Sequence, residues 1–263
     1  MLSTKQPTLA LCAIGSELLN GHTQDANVHP LAQLTFSHGI TLRTVHMVTD
    51  DMQQIAQSLK HLVQTHDAVF TTGGVGPTHD DITYDAVGRT FGREMRHHEG
   101  TLARMRRMMQ GTEPDPEGSE AQRACARMAL FPEDAQVCFP CDDLWVPVVS
   151  LNKVHVFPGV PWLFAKLVRA YVSHVWPGAE WRAQGLRRVL VATEMRESML
   201  APVLERLQRK YADSLSLGSY PQWPKDKRSH VVVSAEGTDE HMLAACKAEL
   251  VQLLDGKEIT NGE

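Results

Sequence analysis

The chain has 263 residues, of which 43% are hydrophobic and 22% charged, a balance that excludes disorder, collagen-like repeats and a small disulfide scaffold. At about 150 residues per domain, this length predicts one large unit, or a large one followed by a small one. A net charge of −5 and a pI near 6.2 exclude a general nucleic-acid binder, so a phosphate-bearing ligand must be held locally, by backbone amides, a few side chains or a cation.

Thr8 to Ile14 is a short apolar run ending at Gly15, the pattern of a buried parallel strand. It flows into Gly-Ser-Glu with no small-residue cleavage site, which argues against a signal peptide. A helical pattern follows from about Asp25 to His38, stopped by Gly39; Pro30 within it requires a late start or a kink. Ile40 to Val48 is the second expected strand. Asp50 and Asp51 then open a helix through Thr65, with Ile55, Leu59, Leu62 and Val63 on one face.

Asp67 to Thr72 is a third strand, running into the loop GGVGPTHDD and then a helix that stops at Gly92. A further helix is expected over Glu99–Gln110, a loop over 111–119, a short helix to Arg127, and short strands and turns over 128–132 and 136–149. Lys153–Phe157 is a strand closed by PGVP, with a helix from Pro161 to about Val175. Strand–helix alternation of this kind implies right-handed crossovers and a parallel sheet covered on both faces, with ligands beyond the carboxyl ends of the strands. The Trp-rich stretch WPGAEWRAQG (176–185) marks a boundary between a unit of residues 1–180 and one of 186–256, where the order becomes βαββα. No apolar run approaches the roughly 18 residues that span a bilayer. Five scattered cysteines (Cys12, Cys125, Cys138, Cys141, Cys246) fit free thiols in a reducing cytoplasm.

The segment Thr72 to Thr83, TGGVGPTHDDIT, carries the most chemistry. Three glycines after a strand let backbone approach a ligand and expose N–H groups, and the next helix N-terminus favours phosphate. Asp80 and Asp81 in the same loop suit an anion site only with a cation between; otherwise they cap the helix. Both readings stand on the residues alone.

With GSELLNG (15–21), TQDAN (23–27), VTDD (48–51), PGVP (158–161) and LGSYP (217–221) in order around it, this loop resembles the signature of the molybdopterin-binding (MoaB/MogA-like) fold, in its CinA and FAD-synthase branch. The resemblance covers nearly the whole chain and implies a three-layer α/β domain with a parallel sheet, followed by a small α+β domain. It implies Asp50 and Asp81 as the leading catalytic acids, and Glu17, Asp50, Asp80 and Asp81 as holders of a divalent ion such as Mg²⁺, Mn²⁺ or Co²⁺. Gly73, Gly74, Gly76 and Thr78 correspond to a phosphate cradle, Ser16 and Asn27 to polar contacts, and Pro158 and Gly159 to the turn that closes the pocket.

In relatives of this kind the same loops bring an adenosine phosphate beside a metal. The resemblance therefore implies a metal-dependent nucleotide pyrophosphatase that releases AMP from FAD, ADP-ribose or a similar compound, by attack of an activated water on the anhydride. The alternative is a molybdopterin-binding or molybdopterin-adenylylating protein. A length of 263 residues leaves no room for the further catalytic domain of CinA proteins or FAD synthases, which points away from FAD synthesis. The region CFPCDDLWVPVVSLN (138–152) departs from the CinA pattern, and no aromatic stacking residue is assigned to the pocket. The relatives imply a cytoplasmic homodimer or homotrimer with a small-molecule nucleotide or pterin ligand, with no nucleic-acid or membrane partner.

Other conspicuous residues take plainer readings. Cys138 and Cys141 lack the second pair of a zinc site and are expected to be structural. His79 is expected to face solvent. Arg104, Arg106 and Arg107 form a solvated helix face or approach a second phosphate, Met108 and Met109 fill core space, and Lys225–Arg228 is an exposed hairpin.

Overall fold

Buried at all seven positions, β1 (Thr8–Ile14) is an interior strand of the main sheet in the first of two units in a computed structural model that describes residues 7–108, 118–174, 185–222 and 230–260. The units are Met1–Arg182 and Ala183–Glu263. After β1 the first unit runs α1 (Ser16–Leu19), α2 (Val28–Ser37), β2 (Thr41–Val48), α3 (Met52–Thr65), β3 (Ala68–Thr72) and α4 (Thr83–Phe91). It continues through β4 (Met95–His97), α5 (Glu99–Met108), α6 (Glu120–Arg127), β5 (Leu130–Pro132), β6 (Gln136–Cys138), β7 (Val148–Leu151), β8 (Val154–Phe157) and α7 (Pro161–His174).

The main sheet has the order β2-β1-β3-β8-β7-β6. Its strands alternate sides with period two, and each face buries its own core. Ala10, Cys12, Val69, Val154 and Val156 pack with Ile55, Leu59 and Leu62 of α3 and Ala86 and Val87 of α4. Leu9, Leu11, Phe70 and Phe157 pack on the opposite face with Leu31 of α2 and Phe164, Leu167 and Val168 of α7. This is the expected three-layer α/β arrangement.

Local chemistry sets the element ends. The Asp51 carboxylate caps α3 by accepting from the amides of Gln53 and Gln54 at 3.1 and 2.9 Å. Gly92 ends α4 in the left-handed region, at φ 65°. Helix α2 starts three residues later than expected, which leaves Pro30 in its first turn, where no intrahelical N–H is lost.

Three features depart from expectation. The sheet is mixed: β1, β2, β3 and β8 are parallel, but β7 runs antiparallel to both β8 and β6. Only Asn152 and Lys153 join β7 to β8, and Asn152 adopts φ 55°, so the connection is a hairpin with no room for a crossover. Second, β4 and β5 form a separate two-stranded ribbon. Third, Met108 is exposed and Met105 fills the core instead. Met109, the 111–117 loop, the 175–184 linker and the Lys225–Arg228 hairpin lie outside the described residues.

A buried polar trio sits on β7, β8 and α7. His155 Nδ1 lies 2.8 Å from Ser150 Oγ and 3.1 Å from Tyr171 Oη, and the two hydroxyls are 3.2 Å apart. Burial pushes the His155 pKa down from 6.5 to about 4.

The second unit contains β9 (Arg187–Thr193), α8 (Glu197–Lys210), β10 (Leu215–Gln222), β11 (His230–Gly237), α9 (Glu240–Leu253) and β12 (Lys257–Ile259). Its antiparallel sheet, in the order β10-β11-β9-β12, covers a core of Val191, Leu200, Leu207, Val233, Leu243 and Leu250. Strand β12 adds to the expected βαββα order. Asp255, at φ 45°, and Gly256 turn the chain back onto β9, and a Cβ on Gly256 would stand 2.5 Å from Val191 Cγ1. Cys12 and Cys246 are buried, and Cys125, Cys138 and Cys141 are half-buried. Among the described residues, no helix is long and apolar enough to cross a membrane.

Candidate functional site

The carboxyl ends of β1, β2, β3 and β8 converge on one cavity of about 540 Å³, a size typical of small-molecule sites. Glu17, Asn27, Asp50, Gly73, Gly74, Gly76, Thr78, Asp80, Asp81, Pro158 and Gly159 all line it. Ser16 stands behind the wall. Its amide donates to Asp50 Oδ2 at 2.8 Å and its hydroxyl accepts from the Asp50 amide at 3.2 Å, tying the loops after β1 and β2 together.

The glycine loop is held by backbone crowding. Gly73 has φ +101°, and a Cβ there would lie 2.0 Å from the Ile14 carbonyl oxygen; one on Gly159 would lie 3.1 Å from Gly73 Cα. The buried Thr83 hydroxyl donates to the Gly73 carbonyl at 2.8 Å, and the Thr83 amide to the Gly74 carbonyl at 2.9 Å. The amides of Gly74, Val75 and Gly76 donate to no other group among the described residues. Three consecutive N–H groups on a cavity wall therefore remain for solvent or an anion.

Asn27 anchors the opposite side of the loop. Its Nδ2 donates to Thr72 Oγ1 at 2.9 Å and to the Gly159 carbonyl at 2.8 Å, while the Thr72 hydroxyl spends its proton on the Pro158 carbonyl. Both partners of the amide are acceptors, so nitrogen must face them. The Oδ1 atom is then left buried with no partner.

Asp80 and Asp81 do not cap α4, whose N-cap is Ile82 with no side-chain hydrogen bond. They converge on Thr78 instead. Its hydroxyl lies 2.6 Å from Asp80 Oδ1 and 2.5 Å from Asp81 Oδ2, and its amide donates to Asp81 Oδ2 at 2.9 Å. A hydroxyl has one proton, so the two carboxylates share a single donor there. The Thr78 hydroxyl is also the main cause that lowers the Asp80 pKa. Among the described residues no group of three or more His, Cys, Asp or Glu side chains can hold a metal, so Glu17 and Asp50 do not join this pair in one cage. Two carboxylates without a cage still fit a hard divalent ion of the kind that completes its shell with substrate phosphates.

Several residues in or around the pocket escaped the sequence reading. Arg127, at the end of α6, donates to the carbonyls of Thr78 and Asp81 at 3.3 Å each and fastens the loop from outside. Tyr84 packs its ring on Phe131 at 4.8 Å, and burial raises its phenol pKa, so it stays neutral. Met128, Trp145, Val146, Pro147 and Leu163 supply an apolar stretch of wall. Trp145 is the aromatic residue that the sequence alone did not assign to the pocket. Because β7 is antiparallel, the segment before it reaches the same sheet edge as the segments after β3 and β8. His79 is 97% exposed, as expected. Cys138 and Cys141 pack against the second core, and burial raises both thiols.

Comparison with known proteins agrees with this geometry. Residues 10–176 match the family described as "Probable molybdopterin binding domain", and residues 187–263 match the FAD synthase middle domain. The chain is 26% identical to a probable FAD synthase of Caenorhabditis elegans over 96% of its own length and 51% of that protein. A CinA-like protein of Citrifermentans bemidjiense is 29% identical over 94% of this chain and 58% of that one. The chain thus spans about half the length of these curated relatives. In structure it resembles a CinA protein of unknown function from Thermoplasma acidophilum, with a TM-score of 0.56 and 23% identity over 65% of this chain and 99% of that one.

Proposed function

The chain belongs to the molybdopterin-binding-domain family, and from that premise we propose that its first unit hydrolyses the phosphoanhydride of an adenosine diphosphate compound, FAD or ADP-ribose, to AMP. The observation that carries this reading is the run of three unspent amides at Gly74–Gly76, facing the same cavity as Asp50, Asp80 and Asp81. Amides hold phosphate oxygens without adding mobile charge, and they suit a chain whose net charge is −5. The similarity to FAD synthases supports a flavin or adenine nucleotide as ligand.

In this reading Gly74–Gly76 bind and orient the leaving phosphate, and Asn27 and Thr83 keep the loop in shape. Asp80 and Asp81 would hold a divalent cation (Mg²⁺, Mn²⁺ or Co²⁺), which when bound neutralises the anhydride oxygens and acidifies water. A pocket carboxylate, Asp50 or Asp81, takes the proton of the attacking water. Its oxygen bonds to one phosphorus as the bridging P–O bond breaks, giving AMP and the second monophosphate. The protein acts in the cytoplasm as a dimer or trimer.

The test is incubation of the purified protein with FAD and ADP-ribose and each cation in turn, with AMP followed by chromatography. AMP formation that needs both substrate and cation is expected. Absence of AMP under every condition, with tight pterin binding in the same sample, would transfer the site to the molybdopterin reading that the family match also supports.

A further inference from the structure

Residues 139–147, which supply Trp145, Val146 and Pro147 to the apolar wall, have no part in the phosphate chemistry above, yet they are held by several contacts. This connection between β6 and β7 has no regular secondary structure. Arg104 of α5 fixes it from behind: Nε donates to the Leu144 carbonyl at 2.8 Å, and Nη2 to the Cys141 and Asp142 carbonyls at 2.8 and 2.7 Å. The guanidinium also lies 4.6 Å from the centre of the Phe139 ring. An ion pair between Asp143 and Lys166 of α7 holds the tip of the turn. Arg104 is thus half-buried and committed to backbone carbonyls, which sets aside both the solvated helix face and the approach to a second phosphate expected of its basic cluster. The product of this bracing is Trp145, half-buried and facing the cavity beside Val146 and Pro147.

We propose that Trp145 is the platform on which the flat heteroaromatic ring of the nucleotide stacks, and that Arg104 is the positioning residue that keeps it in place. The inference rests on the nucleotide reading above and adds where the ring goes. The topology supports it. Register places Thr72 beside Phe157, and β7 begins at Val148 in the strand next to that end of β8. The segment before β7 therefore enters the cavity from the side opposite β1 and β2, with the glycine loop between. A ligand whose diphosphate lies on Gly74–Gly76 can extend one arm toward Trp145. An indole accepts any π-face, so adenine and isoalloxazine are both candidates, and preorganisation by Arg104 lowers the entropic cost of docking.

Isothermal titration of FAD, ADP-ribose, FMN and ring-free ribose 5-phosphate tests the assignment on the full chain and on Trp145→Ala, Trp145→Phe and Arg104→Ala. Trp145→Ala should weaken ring-bearing ligands about 10- to 100-fold while ribose 5-phosphate is unaffected, and Trp145→Phe should restore most of the loss. Arg104→Ala should shift the same ligands in the same direction by a smaller factor, with KM rising more than kcat in the AMP assay. Greater loss for ADP-ribose identifies adenine as the stacked ring; greater loss for FMN identifies the flavin. Wild-type affinity of Trp145→Ala for every ring-bearing ligand would overturn this inference alone. Failure of the wild type to bind any of them or to form AMP would overturn it together with the hydrolase reading.

Discussion

At Asn27 every polar atom but one is accounted for: two donors face two acceptors, and Oδ1 faces nothing. Asn27→Asp would set carboxylate oxygens against the Gly159 carbonyl and the Thr72 hydroxyl, whose proton is already committed. We expect a loss of about 3 kcal/mol, measured by urea denaturation. Gly73→Ala meets a different obstacle, since both its φ and the 2.0 Å approach to the Ile14 carbonyl forbid a Cβ. It should lose more than about 1 kcal/mol, visible as a lowered Tm and weaker nucleotide binding. Asp81→Asn tests chemistry instead. Its shape is kept, so turnover should fall at least ~100-fold with little change in far-UV circular dichroism, and near-normal activity would remove it from the mechanism. Most of these residues were legible in sequence, because glycines and acids crowded behind strand ends have few other uses. Arg104, Arg127 and Trp145 were not: the two arginines brace pocket segments, and Trp145 lines the cavity, through long-range contacts that no local spacing encodes.

Among the elements, β7, β8 and α7 share the buried trio of Ser150, His155 and Tyr171. His155 titrates near 6.5 when unfolded and about 4 when folded, so the unfolded chain binds the proton first. Its contribution is fully present above pH 6.5 and is lost as the pH falls toward 4, by about 3 kcal/mol in all. Urea midpoints measured between pH 7 and 4 should drop along this window, and His155→Gln should flatten the drop. The long strands and helices were readable from apolar periodicity and stop signals such as Gly92 and Asp51. Short elements were not: α1, β4 and β12 have three or four residues each, too few to display a period. The direction of β7 was also hidden, because a buried strand has the same composition whichever way it runs.

At the scale of the whole molecule, every residue lining the cavity falls between Ile14 and Leu163, inside the first unit. The second unit has its own core. A fragment ending at Arg182 should therefore bind FAD or ADP-ribose within about threefold of the full chain by titration. A fragment starting at Ala183 should melt cooperatively by calorimetry, and loss of binding by the first fragment would show that the second unit completes the site.

The hairpin that reverses β7 also separates two kinds of freedom. The glycine loop is threaded through parallel crossovers in the middle of the sheet, where any insertion would disturb several packed layers at once. The nine residues between β6 and β7 hang from the sheet's outer edge, where a segment can be lengthened, shortened or exchanged without rethreading the chain. The pocket is therefore built like a tool with a fixed jaw and a replaceable one. Grafting a different edge segment onto this scaffold is the natural route to a pocket with the same glycine loop and a new preference for what it holds.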